Sequence, residues 1–158
     1  MKKLILAGIT VFPLLAFSQK ANNLNDLSIF PKPENGIKKA YFKVPKMKNE
    51  ENLKIEIIVG KEEKLDCNNY FLMGKIKEEV VNGWGYSYYV VESDGKMGGT
   101  LMACLDRKKE LKFVTLESKI AKYNSKLPYV VYVPKDFKVK YKVLNPSKEK
   151  EASYTTKK

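Results

Sequence analysis

The feature that most restricts how this 158-residue chain can fold is a strict alternation of apolar and charged residues near its C-terminus. Lysines at positions 138, 140 and 142 alternate there with four apolar residues, Phe137, Val139, Tyr141 and Val143. Successive side chains of a β-strand point to opposite faces, whereas a helix would distribute the same residues around its axis. The alternation therefore predicts a strand over residues 137–143 with one buried and one solvated face.

Runs of β-branched, aromatic and alternating apolar residues recur upstream, separated by turn residues. They predict strands over residues 53–59, 76–81, 86–91, 111–116 and 129–133. Gly60 is expected to end the first of these strands, and residues 93–95 are expected to form a turn after the third. No window of the chain has a clear helical period. The pattern predicts an all-β fold, an antiparallel β-sandwich or β-barrel.

Residues 1–18 have the organisation of a secretory signal peptide. Lys2 and Lys3 form a basic head, residues 4–17 are mostly apolar, and Ala16 and Ser18 are the small residues expected before cleavage ahead of Gln19. A membrane anchor is disfavoured, because spanning a bilayer takes about 20 apolar residues. We predict an exported, periplasmic chain with no membrane attachment after signal removal. Its parts would be a flexible arm over 19–30, one domain over 31–146 and a charged, disordered tail over 147–158.

The formal net charge is +12, and nearly all of the positive charge comes from lysine, since Arg107 is the only arginine. Proteins that read nucleic acids rely on arginine for paired hydrogen bonds to bases and phosphates, so we expect no nucleic-acid partner. Lysines that alternate with apolar residues are typical of a solvated strand face. They favour solubility and acidic partners.

The chain contains no histidine. This excludes the Ser-His-Asp and Cys-His groups of hydrolases and any zinc site ligated by histidine. A serine–lysine pair is chemically possible, but no spacing of serines and lysines indicates one. We therefore expect a protein that is not an enzyme and that uses no cofactor and no metal.

The two cysteines of the sequence are Cys67 and Cys104. In an exported chain they predict a single disulfide, since two free thiols are expected in a reducing compartment. Closing a loop of about 38 residues would stabilise the fold by roughly 4 kcal/mol on the chain-entropy model.

Two glycine-rich segments are candidates for a function. Residues 97–104 are too rich in glycine to predict a strand, yet they include Met97, Leu101 and Met102. These side chains either pack inward beside the disulfide or bind a partner, and the pattern alone favours packing. Residues 83–86 leave similar alternatives for Trp84, which is either a core residue at a turn or an exposed aromatic anchor.

At these residues the chain resembles the ecotins, bacterial periplasmic inhibitors of trypsin-fold serine proteases. The resemblance extends from about residue 29 to residue 143 with the order preserved. It is carried by Leu-Asp-Cys-Asn at 65–68, Gly-Trp-Gly-Tyr at 83–86, Tyr-Tyr-Val at 88–90, Thr-Leu-Met-Ala-Cys at 100–104, Lys-Phe-Val-Thr at 112–115, Tyr-Asn-Ser-Lys-Leu-Pro at 123–128 and Val-Lys-Tyr at 139–141. Such a set is far more specific than a single motif.

The resemblance implies an all-β homodimer whose subunits exchange their C-terminal strands, two inhibitor chains binding two proteases. It implies that a protease binds the Leu101–Met102 bond like a substrate, with Leu101 in its primary specificity pocket. The other residues of the protease-binding loop would be Gly98, Gly99, Thr100 and Ala103. The Cys67–Cys104 disulfide would brace this loop. A neighbouring loop would support it, formed by Asn68, Asn69, Tyr70, Phe71 and Leu72. A secondary protease contact on the partner subunit would comprise Trp84, Gly85, Tyr86, Ser87, Lys122, Asn124, Lys126 and Leu127.

The sequence departs from the family pattern near these residues. Leu101 replaces a methionine and keeps an apolar side chain that is unbranched at Cβ. Gly98 and Gly99 replace larger residues, which is expected to loosen the loop and weaken its pairing with a protease. Ser87 replaces an acidic residue, and Lys122 replaces an arginine and loses planar paired hydrogen bonding. These departures concern the strength of the secondary contact and the range of proteases rather than inhibition itself.

The main alternative function is that of a secreted β-barrel that carries an apolar ligand in a cavity lined by its aromatic strands. A carrier would turn Leu101 and Trp84 inward, whereas an inhibitor would expose them on loops. A third interpretation, a basic nucleic-acid binder, would require salt-dependent retention on DNA.

Overall fold

The computed structural model describes residues 27–105, 108–145 and 150–153. Within them the chain forms two short 3₁₀ helices, Leu27–Ile29 and Glu50–Asn52, and ten β-strands. The strands are β1 (Ile37–Phe42), β2 (Lys54–Leu65), β3 (Tyr70–Leu72), β4 (Lys75–Val80), β5 (Ser87–Glu92), β6 (Met97–Gly99), β7 (Glu110–Thr115), β8 (Lys119–Lys122), β9 (Tyr129–Pro134) and β10 (Lys138–Leu144). For these residues the prediction of an all-β fold is confirmed.

Two sheets form the body of the molecule. The first has the strand order β1-β9-β5-β4, and the second has the order β10-β2-β7, with β8 also paired to β2. The long strand β2 pairs with β10 along one edge and with β7 and β8 along the other. β3 and β6 form a separate two-stranded ladder, and this ladder carries the candidate site.

The core lies where the apolar faces of the strands meet. Across β2 and β10, Val59 is opposite Val139 and Ile57 is opposite Tyr141, so the apolar alternation of the two strands falls on one face. A second, smaller cluster contains Phe30, Val81, Val130 and Tyr132. Residues 129–133 of β9 are all buried, because successive residues of this central strand contribute to one cluster or the other.

The strand predictions require corrections at glycines. β2 does not end at Gly60 but continues to Leu65. A Cβ atom on Gly60 would collide with the carbonyl oxygen of Val114, so this glycine permits the close approach of β7. The segment predicted to be too rich in glycine for a strand contains β6.

The prediction also differs from the structure in topology. β5 and β9 pair in parallel, although an antiparallel arrangement was expected throughout. Strands β1 and β8 were not predicted at all. In this single chain β10 pairs with its own β2 in register from Lys138 opposite Gly60 to Leu144 opposite Lys54.

The end of the predicted flexible arm is packed against the first sheet. Phe30 is buried, and its ring meets that of Tyr88 edge-on at 6.4 Å between centroids. The Lys39 ammonium donates hydrogen bonds to the carbonyl oxygens of Leu27 and Phe30, at 3.2 and 3.3 Å. Residues 27–30 are therefore packed against the first sheet.

The remaining terminal predictions fall largely outside the described residues. The predicted signal peptide and residues 19–26 of the arm lie outside them. Of the predicted tail, residues 150–153 are exposed and have no regular secondary structure, and the rest lies outside. In the part of the chain that the structure describes, no helix is long and apolar enough to cross a membrane.

Candidate functional site

The candidate site is built around the disulfide between Cys67 and Cys104, which confirms the predicted pairing. The S–S distance is 2.01 Å and the Cα atoms are 5.8 Å apart. Cys67 follows the end of β2, and Cys104 lies five residues beyond Gly99 at the end of β6. The bond therefore ties the segment at 100–104 to the end of the longest strand.

The segment after β6 presents apolar side chains to solvent. Leu101 has a relative exposure of 101%, and Met102 and Ala103 are also exposed. Leu105, just past the disulfide, is fully exposed as well. The packing that the sequence pattern alone favoured for this segment is wrong, except for the partly buried Met97. Large apolar side chains displayed in this way are typical of a binding surface.

The side chain of Asn68 holds the backbone on both sides of Leu101. Tyrosines apart, it is the one buried polar side chain among the described residues, with 4% relative exposure. Its Oδ1 accepts hydrogen bonds from the Met102 N–H at 2.7 Å and from the Thr100 hydroxyl at 2.8 Å. Its Nδ2 donates to the Met102 carbonyl oxygen at 3.2 Å. These contacts fix the Leu101 backbone while leaving its side chain free.

Asn69 holds the same segment through its backbone. Its carbonyl oxygen accepts a hydrogen bond from the Thr100 N–H at 3.0 Å, and its N–H donates to the Thr100 hydroxyl oxygen at 3.1 Å. Thr100 is thus held by two neighbouring asparagines, by one through a side chain and by the other through the backbone.

A second layer of polar contacts orients Asn68. The Asp66 carboxylate accepts hydrogen bonds from the Asn68 N–H at 2.9 Å, from the Asn68 side-chain amide at 3.1 Å and from the Tyr70 hydroxyl at 3.1 Å. The backbone N–H of Asn68 is the main reason why the pKa of Asp66 lies below its ordinary value of 3.8. The same contact with Asp66 raises the pKa of Tyr70. Lys112 donates to the Asp66 carbonyl oxygen, and to that of Asn68 at 3.1 Å.

Sequence reasoning missed the roles of Asp66 and Lys112. Both belong to the stretches that carry the family resemblance, yet neither was predicted as a site residue. An aspartate two residues before an asparagine is a signal for a local turn in which the carboxylate accepts a backbone N–H. The contact of Lys112 across the fold leaves no such local signal.

The supporting residues 70–72 form strand β3 rather than a loop. β3 pairs with β6, so that Tyr70 is opposite Gly99 and Phe71 is opposite Gly98. Each aromatic ring lies across the glycine opposite to it. A Cβ atom on Gly98 would be 2.5 Å from Cζ of Phe71, and one on Gly99 would be 2.8 Å from the Tyr70 ring. The glycines expected to loosen the loop thus lie in a ladder covered by rings.

The residues predicted for a secondary contact come together around one groove. A cavity of about 490 Å³ is lined by six of them, Gly85, Tyr86, Ser87, Lys122, Asn124 and Leu127. The Tyr129 hydroxyl forms part of the wall, donating to the Lys122 carbonyl oxygen at 2.7 Å and accepting from the Asn124 N–H at 2.8 Å. Burial raises the pKa of Tyr129 from its ordinary value of 10.0 to about 12.

Trp84 and Lys126 lie beside this groove rather than in its lining. Trp84 is exposed, and its ring is 5.9 Å from that of Tyr86, centroid to centroid. Lys126 is exposed, and its N–H donates to the Asn124 side-chain oxygen at 2.9 Å. Within the described residues, no group of three acidic or cysteine side chains is arranged to hold a metal ion.

Comparison with known proteins gives one consistent family. The family model described as Ecotin matches residues 26–146. The chain is similar to an ecotin of Serratia proteamaculans (strain 568), with 40% identity over 123 residues that cover 76% of this chain and 72% of the relative. It is 37% identical over 153 residues to an ecotin of Pseudomonas fluorescens, covering 96% and 97% of the two chains. An ecotin of Pseudomonas putida (strain W619) is 40% identical over 131 residues, covering 82% of each.

Proposed function

The chain belongs to the ecotin family, and from that premise we propose that it is an exported inhibitor of trypsin-fold serine proteases that binds them like a substrate. The observation that carries this proposal is the way the Leu101–Met102 bond is presented. The Leu101 side chain is fully exposed, while the Asn68 side chain accepts hydrogen bonds from the Thr100 hydroxyl before it and from the Met102 N–H after it. A protease cleft binds an extended backbone and takes one side chain into its primary pocket.

The rigidity of this segment favours inhibition over turnover. The disulfide at Cys104 and the contacts of Asn68 and Asn69 with Thr100 order the segment before any protease arrives. Binding then costs less conformational entropy than binding of a flexible peptide. If the bond were cleaved, the same contacts would hold both new ends in place and favour its resynthesis.

The side chain of Leu101 indicates the class of target. A leucine fits an apolar specificity pocket, as in chymotrypsin-like and elastase-like enzymes, better than the carboxylate-ended pocket of trypsin. The groove around Lys122 and Ser87 would add a second contact with the same protease when two inhibitor chains are joined. Such a linked contact multiplies affinity through effective concentration.

We propose that the active form is a homodimer in which β10 is exchanged. Support comes from the apolar face of β10, where Tyr141 and Val143 remain exposed in the single chain. Tyr141 stacks on Phe42 at 4.1 Å between ring centroids, and the neighbouring Tyr41 of β1 is also exposed. A partner strand or subunit at this edge would remove these side chains from water.

The exposure of Leu101 and Trp84 speaks against the alternative of an apolar-ligand carrier. A carrier would turn both side chains into a cavity, and both are exposed. The buried aromatic residues Tyr89, Tyr123 and Tyr129 pack within the main core cluster.

The proposal is tested at Leu101. Burying a leucine side chain in an apolar pocket is worth roughly 1.5–3 kcal/mol, so Leu101→Ala should weaken inhibition of chymotrypsin and elastase by about 10- to 150-fold. Leu101→Lys should shift preference toward trypsin. The matched control is Leu111→Ala, which removes another exposed leucine, on β7, outside both proposed protease surfaces. Equal inhibition by wild type, Leu101→Ala and Leu111→Ala would refute the assignment of the reactive bond.

Strand exchange is tested by a cross-link rather than by truncation, because removal of residues from Phe137 onward would delete a buried core side chain. Glu56 and Lys142 are directly opposite on β2 and β10, and their charged groups are 3.8 Å apart. Directly opposite antiparallel residues lie within the Cα separation that a disulfide spans. Under oxidation, Glu56→Cys/Lys142→Cys should migrate as a covalent dimer on a non-reducing gel. A cross-linked monomer would show that β10 stays on its own chain, and each single cysteine variant is the control.

Export to the periplasm is the last part of the proposal. The disulfide and the family membership support an oxidising compartment. Mass spectrometry of the protein recovered from the periplasm should give an N-terminus at Gln19. An intact Met1 in the mature protein would contradict the predicted signal peptide.

A further inference from the structure

In the ladder of β3 and β6, the ring of Phe71 occupies the space that a side chain on Gly98 would fill. Gly98 lies three residues before Leu101 and is opposite Phe71. A Cβ atom on Gly98 would be 2.5 Å from Cζ of the Phe71 ring and 3.0 Å from both of its Cε atoms. A side chain on residue 98 and the present ring of Phe71 would therefore compete for the same space.

The ring that fills this space is open to solvent. Phe71 has 56% relative exposure, whereas its neighbour Leu72 is buried in the main core cluster. The alternation of β3 thus places Leu72 inward and Phe71 outward, beside the backbone that leads to the reactive bond. An exposed aromatic ring next to a binding segment is the type of side chain that contributes most when a partner desolvates it.

We propose that Phe71 supplies, from a separate strand, the apolar contact that a protease cleft takes from the fourth residue before the cleaved bond of a substrate. The inference rests on the proposed function, because it assumes that Leu101 occupies the primary pocket. A cleft that binds an extended segment has separate sites for successive side chains, and Gly98 and Gly99 offer none of their own. Phe71 is then a specificity-determining residue contributed from outside the reactive segment.

The arrangement has a physical advantage over a side chain on residue 98. A phenylalanine has only two side-chain torsions, so ordering its ring costs little entropy. β3 begins at Tyr70, whose hydroxyl donates a hydrogen bond to the Asp66 carboxylate. The Cys67–Cys104 disulfide lies just before this strand. The ring is therefore carried by a strand whose start is already fixed, and the contact is preorganised together with the reactive bond.

The target class follows from the chemistry of the ring. The favoured protease is a trypsin-fold enzyme whose cleft offers an apolar or aromatic-lined surface to the fourth residue before the cleaved bond. An enzyme that presents charged groups at that place would have to desolvate them against an apolar ring, which is unfavourable. Such an enzyme should be inhibited less well even when its primary pocket accepts leucine.

The experiment exchanges the ring for a side chain on residue 98. Inhibition constants for chymotrypsin and pancreatic elastase are measured with the mature protein and with Phe71→Ala, Phe71→Ala/Gly98→Leu and Phe71→Ala/Gly98→Ala. Phe71→Ala should weaken inhibition by about tenfold, the loss typical of an interface anchor. Gly98→Leu in that background should restore most of the loss, because its side chain enters the space that the ring has left.

The Phe71→Ala/Gly98→Ala variant distinguishes a direct contact of the ring with the protease from a stiffening of β6 by the ring. If Phe71 acted only by stiffening β6, Gly98→Ala would rescue inhibition as well as Gly98→Leu, since either removes the flexibility of glycine. Rescue by leucine alone supports the proposal, whereas equal rescue by alanine, or unchanged inhibition by Phe71→Ala, overturns it. The proposed function fails separately, through loss of inhibition in wild type or indifference to Leu101→Ala. Thermal melts of all variants exclude misfolding as the cause.

Discussion

Two leucines illustrate how differently the two main sheets and residues 100–104, which we propose as the reactive segment, are stabilised. Leu116, in the core cluster, has 3% relative exposure, and its N–H donates to the Val59 carbonyl oxygen at 2.9 Å. Leu101 is fully exposed, and its surroundings are fixed by Asn68, by Asn69 and by a disulfide. Apolar burial orders the two main sheets, whereas polar contacts and a covalent bond order residues 100–104. The two regions should therefore respond to mutation in separate measurements.

The largest expected effect is on stability and comes from the core. Leu116→Ala should lower the free energy of unfolding by about 2–5 kcal/mol, through lost burial and a residual cavity. The fraction that remains folded should inhibit proteases as well as wild type does, because the contacts of Leu101 are untouched. Chemical denaturation followed by active-site titration at low temperature measures both quantities. A fall in affinity matching the fall in stability would contradict the separation of the two regions.

Removal of the disulfide is expected to affect both regions. Cys67→Ser/Cys104→Ser should reduce the free energy of unfolding by about 2–4 kcal/mol and also weaken inhibition, because one tether of the reactive segment is lost. Denaturation curves and inhibition constants for the double variant test this. An unchanged inhibition constant would mean that the hydrogen bonds alone order the segment.

Asn68→Ala should act mainly on inhibition. It removes the acceptor of the Met102 N–H and of the Thr100 hydroxyl, and a lost contact of this kind costs about 1–3 kcal/mol, or roughly 5- to 150-fold in affinity. Asn69→Ala is the matched control, since the contacts of Asn69 with Thr100 are made by its backbone. If the two alanine variants were equally potent, the Asn68 side chain would not be what orders the reactive bond.

The smallest expected effect is a dependence of thermal stability on pH in the acidic range. The pKa of Asp66 is lowered in the folded protein, so its contribution to stability is present above its ordinary value of 3.8 and is lost as pH falls through the lowered value. Thermal melts of wild type between pH 2 and pH 5 should therefore show a steeper loss than those of Asp66→Asn. Parallel curves for the two proteins would indicate that the Asp66 carboxylate does not help to order Asn68.

Local pattern was enough to predict strands in which charged and apolar residues alternate along the sequence. β10 was predicted almost to the residue from this alternation, but its apolar face is only partly buried in the single chain, since Tyr141 and Val143 are exposed. β1 was missed, since Lys38 and Lys39 are adjacent and Lys39 bonds backbone carbonyls of the N-terminal segment instead of facing water. The parallel pairing of β5 with β9 joins strands that are distant in sequence, and no local pattern encodes it.

Glycine was the other source of error. At Gly60 and Gly98 the sequence indicated a break, whereas each glycine makes room for a neighbour, the carbonyl oxygen of Val114 in one case and the ring of Phe71 in the other. The identity of that neighbour depends on tertiary pairing. For the candidate site, the family resemblance pointed to Leu101 and Asn68. The contact of Lys112 with the Asp66 carbonyl oxygen joins residues distant in sequence, so no local pattern predicts it.

Strand β2 spans the distance between the β10 pairing and the disulfide. Its 12 residues, at about 3.4 Å each, span about 40 Å. Its first half pairs with β10 and β8, and its second half pairs with β7. Asp66 and Cys67 follow directly after its last residue. Residues 54–57 of β2 pair on both edges, with β10 and β8, whereas residues 61–65 pair with β7 alone. This one continuous strand therefore joins the β10 pairing to the segment tied down by the disulfide. If β10 is exchanged between two subunits, as proposed, the orientation of the two reactive segments relative to one another would depend on the twist of β2.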